Sequence, residues 1–301
     1  MNTNTTSATA SALRIPFTFN EGAVAKFMFE TPKAYATKGL TKPEKEFLLS
    51  LGLTGEFPAR FPVLGTSSAK TEKGEAMSYL TGICYLSPAS ESGFANLCFW
   101  AKNCKALCLN TAGRGAFGSV QHARRVKTAR LGYYGVESFL LNAALDVRKI
   151  AKQAEKKGFK VAVRLDGTSD LGLANHPIQS LGNKSLVELF PSVEWYEYSK
   201  SFQRMVAFLN REFPSNFHLT FSLDGDTNRN AARIILAKGG NVAACFEGSL
   251  PETFMGVRVL DGDKSDLRFL DAVSHLSTGH VIGLKAKGKA KELRNGFVQV
   301  A

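Results

Sequence analysis

Five cysteines occur in the chain, and three of them, Cys98, Cys104 and Cys108, fall within eleven residues with the spacing C-x5-C-x3-C. A fourth, Cys84, lies fourteen residues upstream of the first. Thiolates gathered this closely share a soft metal, usually zinc or an iron–sulfur cluster. The spacing is not the paired C-x2-C of common zinc knuckles. Three thiolates on one loop can instead hold three irons of a [4Fe–4S] cluster, with the remaining iron open to Cys84, a solvent ligand or a substrate. Lys102 and Lys105 flank the segment and favour the thiolate form. Zinc, with Cys84 as fourth ligand, is the alternative metal. Cys245 sits inside an apolar run and reads as core.

A second set of reactive groups follows a tripeptide that recurs three times: Leu165-Asp166-Gly167, Leu223-Asp224-Gly225 and Leu260-Asp261-Gly262. Each follows an expected strand. In parallel α/β folds the carboxyl ends of strands gather on one face, where active sites are built. Asp166, Asp224 and Asp261, with Glu197 and Lys200 at another strand end, would ring that mouth and position a substrate, bind Mg²⁺ or move protons. Asp-Gly is also ordinary turn chemistry. Gly113-Arg114-Gly115-Ala-Phe-Gly118 matches G-x-G-x-x-G but follows the cysteine loop rather than a strand. It reads as a phosphate or carboxylate seat at a helix start, assisted by Arg114, more than as a dinucleotide fingerprint. Arg124, Arg125, Lys127 and Arg130 form a basic stripe, and Lys285 and Lys287 open a second basic run. Both are candidate phosphate contacts, and a solvated charged face is the plainer reading. Trp100, Trp195, Tyr196 and Tyr198 could stack bases, although alternation along 193–198 makes about half of that strand's aromatics core. The five histidines show no metal-binding spacing.

The elements that must position these residues follow from pattern. The chain has 301 residues, 44% hydrophobic and 21% charged, with no apolar run long enough to span a bilayer. Neither a membrane partner nor a secretory signal is expected, so a reducing, cytoplasmic compartment is expected and disulfides are not. The net charge of +12 points to a polyanion, nucleic acid or nucleotide, as partner. Residues 1–12 read as a disordered tail. Residues 13–78 supply two short strands around Asn20-Glu-Gly22, a helix from Pro43 to Leu51 capped by Thr41, and a loop over 54–78, all packed on a main domain spanning 79–301. That domain opens with a strand over 79–85. The longest helical signal, 119–157, breaks near Gly132 or Gly135 and ends at Gly158. Strands at 160–165, 193–198, 217–222, 242–246, 257–260 and 280–284 then alternate with helices at 185–190, 202–210 and 228–238. This alternation predicts a full or incomplete (β/α) TIM-like barrel with the Cys-rich loop after its first strand, and an open doubly wound sheet is the alternative.

Several segments in this order resemble a known family: Leu97 to Gly115, Ser119-Val-Gln-His122, Val161-Ala-Val-Arg-Leu-Asp-Gly167, Trp195-Tyr-Glu-Tyr-Ser-Lys-Ser-Phe202 and Phe221-Ser-Leu-Asp224. The chain is similar, over about residues 80–260, to three-cysteine proteins of phages and mobile elements, the "gene product eighty-eight" type. The resemblance implies a relative of radical-SAM barrels, with a cluster on Cys98, Cys104 and Cys108 and with Asp166, Tyr198 and Lys200 at the cluster-facing mouth. S-adenosylmethionine is the second cofactor it implies. The chain departs from typical radical-SAM enzymes in lacking C-x3-C-x2-C spacing and a Gly-Gly-Glu element. Three functions are expected in order: an iron–sulfur, radical-SAM-like protein acting on a nucleotide or nucleic acid; a zinc-stabilised nucleic-acid-binding protein; and a Mg²⁺-dependent enzyme using Asp166, Asp224, Asp261 and Asp263.

Overall fold

The computed structural model describes residues 17–31, 37–108, 112–271, 278–292 and 294–300. The expected tail lies outside the described residues, as do residues 14–16 of the first expected N-terminal strand; residues 17–20, the rest of it, form no strand.

The main domain is a nine-stranded, mostly parallel sheet. Its strands are β1 (Tyr79–Ile83), β2 (Lys160–Arg164), β3 (Val193–Ser199), β4 (Phe217–Ser222), β5 (Val242–Phe246), β6 (Thr253–Phe254), β7 (Val257–Asp261), β8 (Val281–Lys285) and β9 (Val298–Gln299). The spatial order is β1-β2-β3-β4-β5-β8-β7-β6, with β9 against β5. Neighbours pair in parallel except for the β6–β7 hairpin. Seven helices accompany the sheet among the described residues: α1 (Glu21–Glu30), α2 (Lys42–Ser50), α3 (Ala69–Glu75), α4 (Gly118–Lys157), α5 (Leu186–Leu189), α6 (Phe202–Leu209) and α7 (Arg229–Ala237).

Alternation along each strand sorts side chains onto two faces. Leu80, Val161, Val163, Trp195, Leu219, Phe221 and Val242 point to the helix layer and pack with Phe139, Leu140, Ala143, Val147 and Ile150 of α4. Tyr79, Ala162 and Tyr196 point the other way and meet Leu267 and Phe269.

The sheet does not close, so the expected full barrel is corrected to an open sheet. The outer edge of β1 pairs only through one bridge of Gly65 with Ile83 among the described residues. It is then covered by α3, where Gly74 approaches so closely that a Cβ would lie 2.3 Å from Thr81 Oγ1. The ends of the strand order are spanned by side chains instead: Lys70 of α3 pairs with Asp266 at 2.8 Å, and Lys73 donates to the Asp263 carbonyl. Leu267 fills the inner face beside Tyr79.

Two local expectations are also corrected. The segment after Asn20 is helix α1, not strand. Asn20 Oδ1 caps the Ala23 amide at 3.0 Å, and Val24, Phe27 and Met28 share one buried face. Their i, i+3, i+4 spacing outweighs the Phe-Met-Phe run that suggests a strand. The expected loop over 54–78 contains α3, started by a capping box between Ser68 and Thr71. The expected break in the long helix falls at Gly135, where φ is +81° and ψ is +162°, and both halves run on as one kinked element. Residues 60–64 are tied to α4 by two buried polar side chains. Asn142 accepts from Phe61 N, while Asp146 accepts from Val63 N and Leu64 N and pairs with Arg60 at 2.6 Å.

Candidate functional site

The carboxyl ends of β1 to β4 meet the cysteine loop, and a buried carboxylate holds it there. Asp224, at the end of β4, is fully buried. Its Oδ2 accepts from the Lys102 and Asn103 amides at 2.7 and 3.2 Å, and its Oδ1 accepts from the Cys104 amide at 2.8 Å. Asn103 Nδ2 returns a hydrogen bond to the Asp224 carbonyl. The carboxylate thus satisfies three consecutive amides and forms no ion pair with a cation among the described residues. Gly225 follows at φ +71°, and a Cβ there would lie 2.2 Å from the Gly296 carbonyl, so only glycine fits this turn.

Cys98 is anchored on the opposite side. Its Sγ accepts from Ala89 N at 3.3 Å and lies 3.5 Å from the Thr168 carbonyl. Cys108 is close enough to both Cys98 and Cys104 to act on their ionisation, and the Lys200 ammonium acts on the same two thiols. The three cysteines and Lys200 therefore share one neighbourhood. Burial pushes the Cys98 thiol up to about 12 and raises Cys104. Burial works against the Lys200 ammonium, but Cys104, Asp224 and Asp170 offset it and leave its pKa raised. Lys200 Nζ also donates to Ser222 Oγ at 2.9 Å, and its backbone N–H to Asp170 Oδ2 at 2.8 Å.

Beneath this mouth lies a charged network in the sheet–helix layer. Arg204 of α6 donates to Glu197 at 2.8 Å and to Asp170 at 3.2 Å. All three are buried, and Glu197 Oε1 has no hydrogen-bond partner. Burial, reinforced by Asp166 and only partly offset by Arg204, pushes Glu197 up to about 7. Asp166 itself clamps its own loop, accepting from Ser169 Oγ at 2.5 Å, Gly172 N at 2.7 Å and Leu173 N at 3.2 Å.

The other expected site residues divide clearly. Cys84 does not join the three thiols. It faces the sheet–helix core, fully buried, with its thiol pushed up to about 12 by that burial. Asp261 lies at the end of β7 and accepts from Asp263 N at 3.0 Å. Among the described residues no three His, Cys, Asp or Glu side chains converge closely enough to hold a metal ion, neither Asp166, Asp224, Asp261 and Asp263 nor the thiols of Cys98, Cys104 and Cys108. Gly113, Arg114 and Gly115 form a short 3₁₀ turn, and no side chain caps the start of α4 that follows.

The basic stripe is not a uniform solvated face. Arg130 is buried over the Phe61 ring, and Arg124 lies over Tyr85 and acts on Cys108. Arg125 stacks on Phe27 and Phe94 and donates to the Ser92 carbonyl. Lys127 is near enough to Cys84 to act on its ionisation. In the second run the Lys285 N–H donates to Asp263 at 2.9 Å and Lys287 pairs with Asp263 at 2.5 Å. Trp195 and Tyr196 are core, whereas Trp100 is exposed and Tyr198 stacks under Arg164. Among the histidines, His218 pairs with Glu194 at 2.8 Å, and His275 lies outside the described residues.

Arg164, Asp266, Arg268 and Lys70, on the inner face, were not singled out from sequence as site residues. Asp266 pairs with Lys70 at 2.8 Å and with Arg164 at 3.3 Å, and accepts from Tyr196 Oη at 3.1 Å. Burial raises its pKa, but Lys70 and Arg164 outweigh this and hold it at about 2. The polar run after Asp261 was the only available signal, because the partners lie far away in sequence.

No helix among the described residues is long and apolar enough to cross a membrane. No curated protein and no solved structure matches the chain. A family model described as Gene product 88 matches residues 63–301, which takes in the whole sheet, the cysteine loop and the Asp224 clamp. The match covers well over half of the sequence, and the chain belongs to this phage-type family, Gene product 88.

Proposed function

We propose that the mouth of this sheet holds an iron–sulfur cluster on Cys98, Cys104 and Cys108, and that the protein is a radical-SAM-like enzyme acting on a polyanionic substrate. One observation carries the reading. A buried carboxylate, Asp224, is committed to shaping the backbone of the loop that brings these thiols to Lys200. A fully buried carboxylate satisfied by amides alone is costly to desolvate, and its return is a fixed loop geometry. The donor types suit a cluster, and the three thiols, which do not converge here, would draw together on loading. Three soft ligands lie beside two cationic side chains, Lys200 and Arg124, which compensate the negative charge of ligating thiolates. Thiols held protonated by burial lose their protons on metal loading. A single tetrahedral zinc needs four ligands at roughly 2.0–2.3 Å. Cys84, the fourth ligand of that alternative, points into the core. A cluster spreads its cysteines more widely and needs only these three.

When bound, such a cluster supplies one-electron chemistry. The chain's own residues then have distinct tasks. Asp224 fixes the loop, and Asp170 fixes the Lys200 backbone. Lys200 presents a protonated amine to the ligand face. S-adenosylmethionine is the co-substrate this reading implies.

The test is anaerobic purification with iron and zinc analysis and a visible spectrum. The expected result is broad absorbance near 400 nm with about four irons per chain. It should be lost in Cys98→Ala, Cys104→Ala and Cys108→Ala, and kept in Cys84→Ala. A colourless protein with one zinc, retained in those three variants, would overturn the cluster.

A further inference from the structure

From Ser92 to Val136 the chain contains no Asp or Glu, yet it carries seven Lys or Arg residues. This stretch holds the three cysteines. Lys102, Lys105, Arg114 and Arg125 are exposed on it, and Lys102, Lys105 and Arg114 form no ion pair with any described residue. Some exposed cations elsewhere have acidic partners, Lys26 with Glu30, Arg229 with Asp226, Lys287 with Asp263 and Arg294 with Glu247, and others, such as Lys149, Lys152 and Lys238, have no ion pair among the described residues; what sets 92–136 apart is that it holds no acid at all. Accumulated like charge destabilises a folded chain by self-repulsion, so an acid-free stretch around a candidate site favours an external anion.

Large aromatic rings stand in water on the same stretch. Phe99 is 51% exposed, Trp100 39% and Phe117 60%. Phe99 and Trp100 meet edge to face at 5.0 Å, which holds the pair in a set orientation. Lys105 and Arg125 also line an open cleft of about 510 Å³ with the turn 89–93, whose Glu91 is its only acid.

Planar rings and unpaired cations on one loop match a ligand that is anionic along its length and offers flat faces. Single-stranded nucleic acid has both, whereas a duplex hides its base faces. We propose that the surface of Phe99, Trp100, Lys102, Lys105 and Arg114 binds a single strand of nucleic acid, with bases stacked on the rings and phosphates on the cations. This rests on, and narrows, the polyanion reading above, because the strand would lie across the candidate cluster loop.

Tryptophan emission provides the test. The chain has two tryptophans. Trp195 is fully buried and serves as an internal reference, while Trp100 reports stacking. Titration with a short mixed-sequence single strand should quench the emission, and its duplex should do so far less. Binding should fall roughly tenfold or more over a fourfold rise in salt. Trp100→Ala should weaken binding roughly tenfold and abolish the quench. Lys105→Glu with Arg114→Glu should weaken it further and flatten the salt dependence. Equal binding of duplex without quenching, or stronger binding of polyglutamate than of the strand, would overturn the proposal. Reading colour and strand binding together on anaerobically purified wild-type protein separates the two readings. A colourless protein that binds the strand sinks only the cluster. A coloured protein that does not bind the strand sinks only this surface.

Discussion

Two buried carboxylates, Asp266 on the inner face and Asp224 at the mouth, are satisfied in opposite ways. Asp266 is surrounded by cations: Lys70 and Arg164 are in contact, Arg268 acts on it from nearby, and Tyr196 donates a hydrogen bond. Its partners come from α3, β2 and β3, so it joins the two ends of an open sheet. Asp224 meets only amides of one short loop. A charge closed by charges makes a structural rivet, which needs nothing from outside. A charge closed by backbone dipoles fixes the path of a loop and leaves the nearby cation, Lys200, directed at the thiols. Glu197 stands between these cases, bonded to Arg204 by one oxygen while the other has no partner. The difference separates the part of the molecule that holds the fold from the part that positions the cysteine loop.

Breaking the rivet should have the largest effect. Asp266→Ala leaves the buried Arg164 without its counter-charge and the half-buried Lys70 without its partner, and should cost about 3–5 kcal/mol, read by urea unfolding. A loss under about 1 kcal/mol would mean that the inner face is hydrated and that the contrast with the mouth is false.

Glu197 sharpens the comparison through pH. Its folded pKa is raised to about 7, above the ordinary carboxyl value of 4.5. The folded state therefore binds more protons than the unfolded state between these values, and stability falls as pH rises across that window. The contribution is on the order of 3 kcal/mol over the full window. Thermal unfolding should show this decline in the wild type and a flatter profile in Glu197→Gln. Asp266 acts with the opposite sign. Its pKa is lowered to about 2, so its contribution is present above about pH 4 and is lost as pH falls toward 2.

Asp224→Asn should have the smallest effect on stability, about 1.5–3 kcal/mol for the lost charged acceptor. Its effect on metal loading should exceed that of Glu197→Gln, because it releases the amides of Lys102, Asn103 and Cys104. Equal iron content in Asp224→Asn and wild type, measured after anaerobic reconstitution, would show that the loop does not depend on this clamp.

Much of the frame was legible because it is local. The cap at Thr41, the Gly158 stop and the alternating strands from Lys160 onward all lie where short-range pattern puts them. The helix at Glu21 was misread because its apolar run fits both periods until packing against α4 selects one. The Asp-Gly recurrence located the mouth, but it suggested a shared ring of acids. Asp166 and Asp224 instead serve two different loops. Hydrogen-bond partners more than a hundred residues apart, such as Asp224 and Cys104, leave no spacing signature.

By itself, the sequence determined the order of the main strands and helices from Tyr79 to Lys285, the cluster of three cysteines and an excess of positive charge, because helix and strand periodicity, capping and composition act within a few residues. Only the tertiary structure decided that the sheet stays open, that Cys84 is core, that the basic stripe is partly packed against aromatic rings, and that two buried acids have opposite tasks. Those outcomes depend on which distant groups share one desolvated space. There, burial and pairing set the energy of a charge, and neither can be read from its neighbours along the chain.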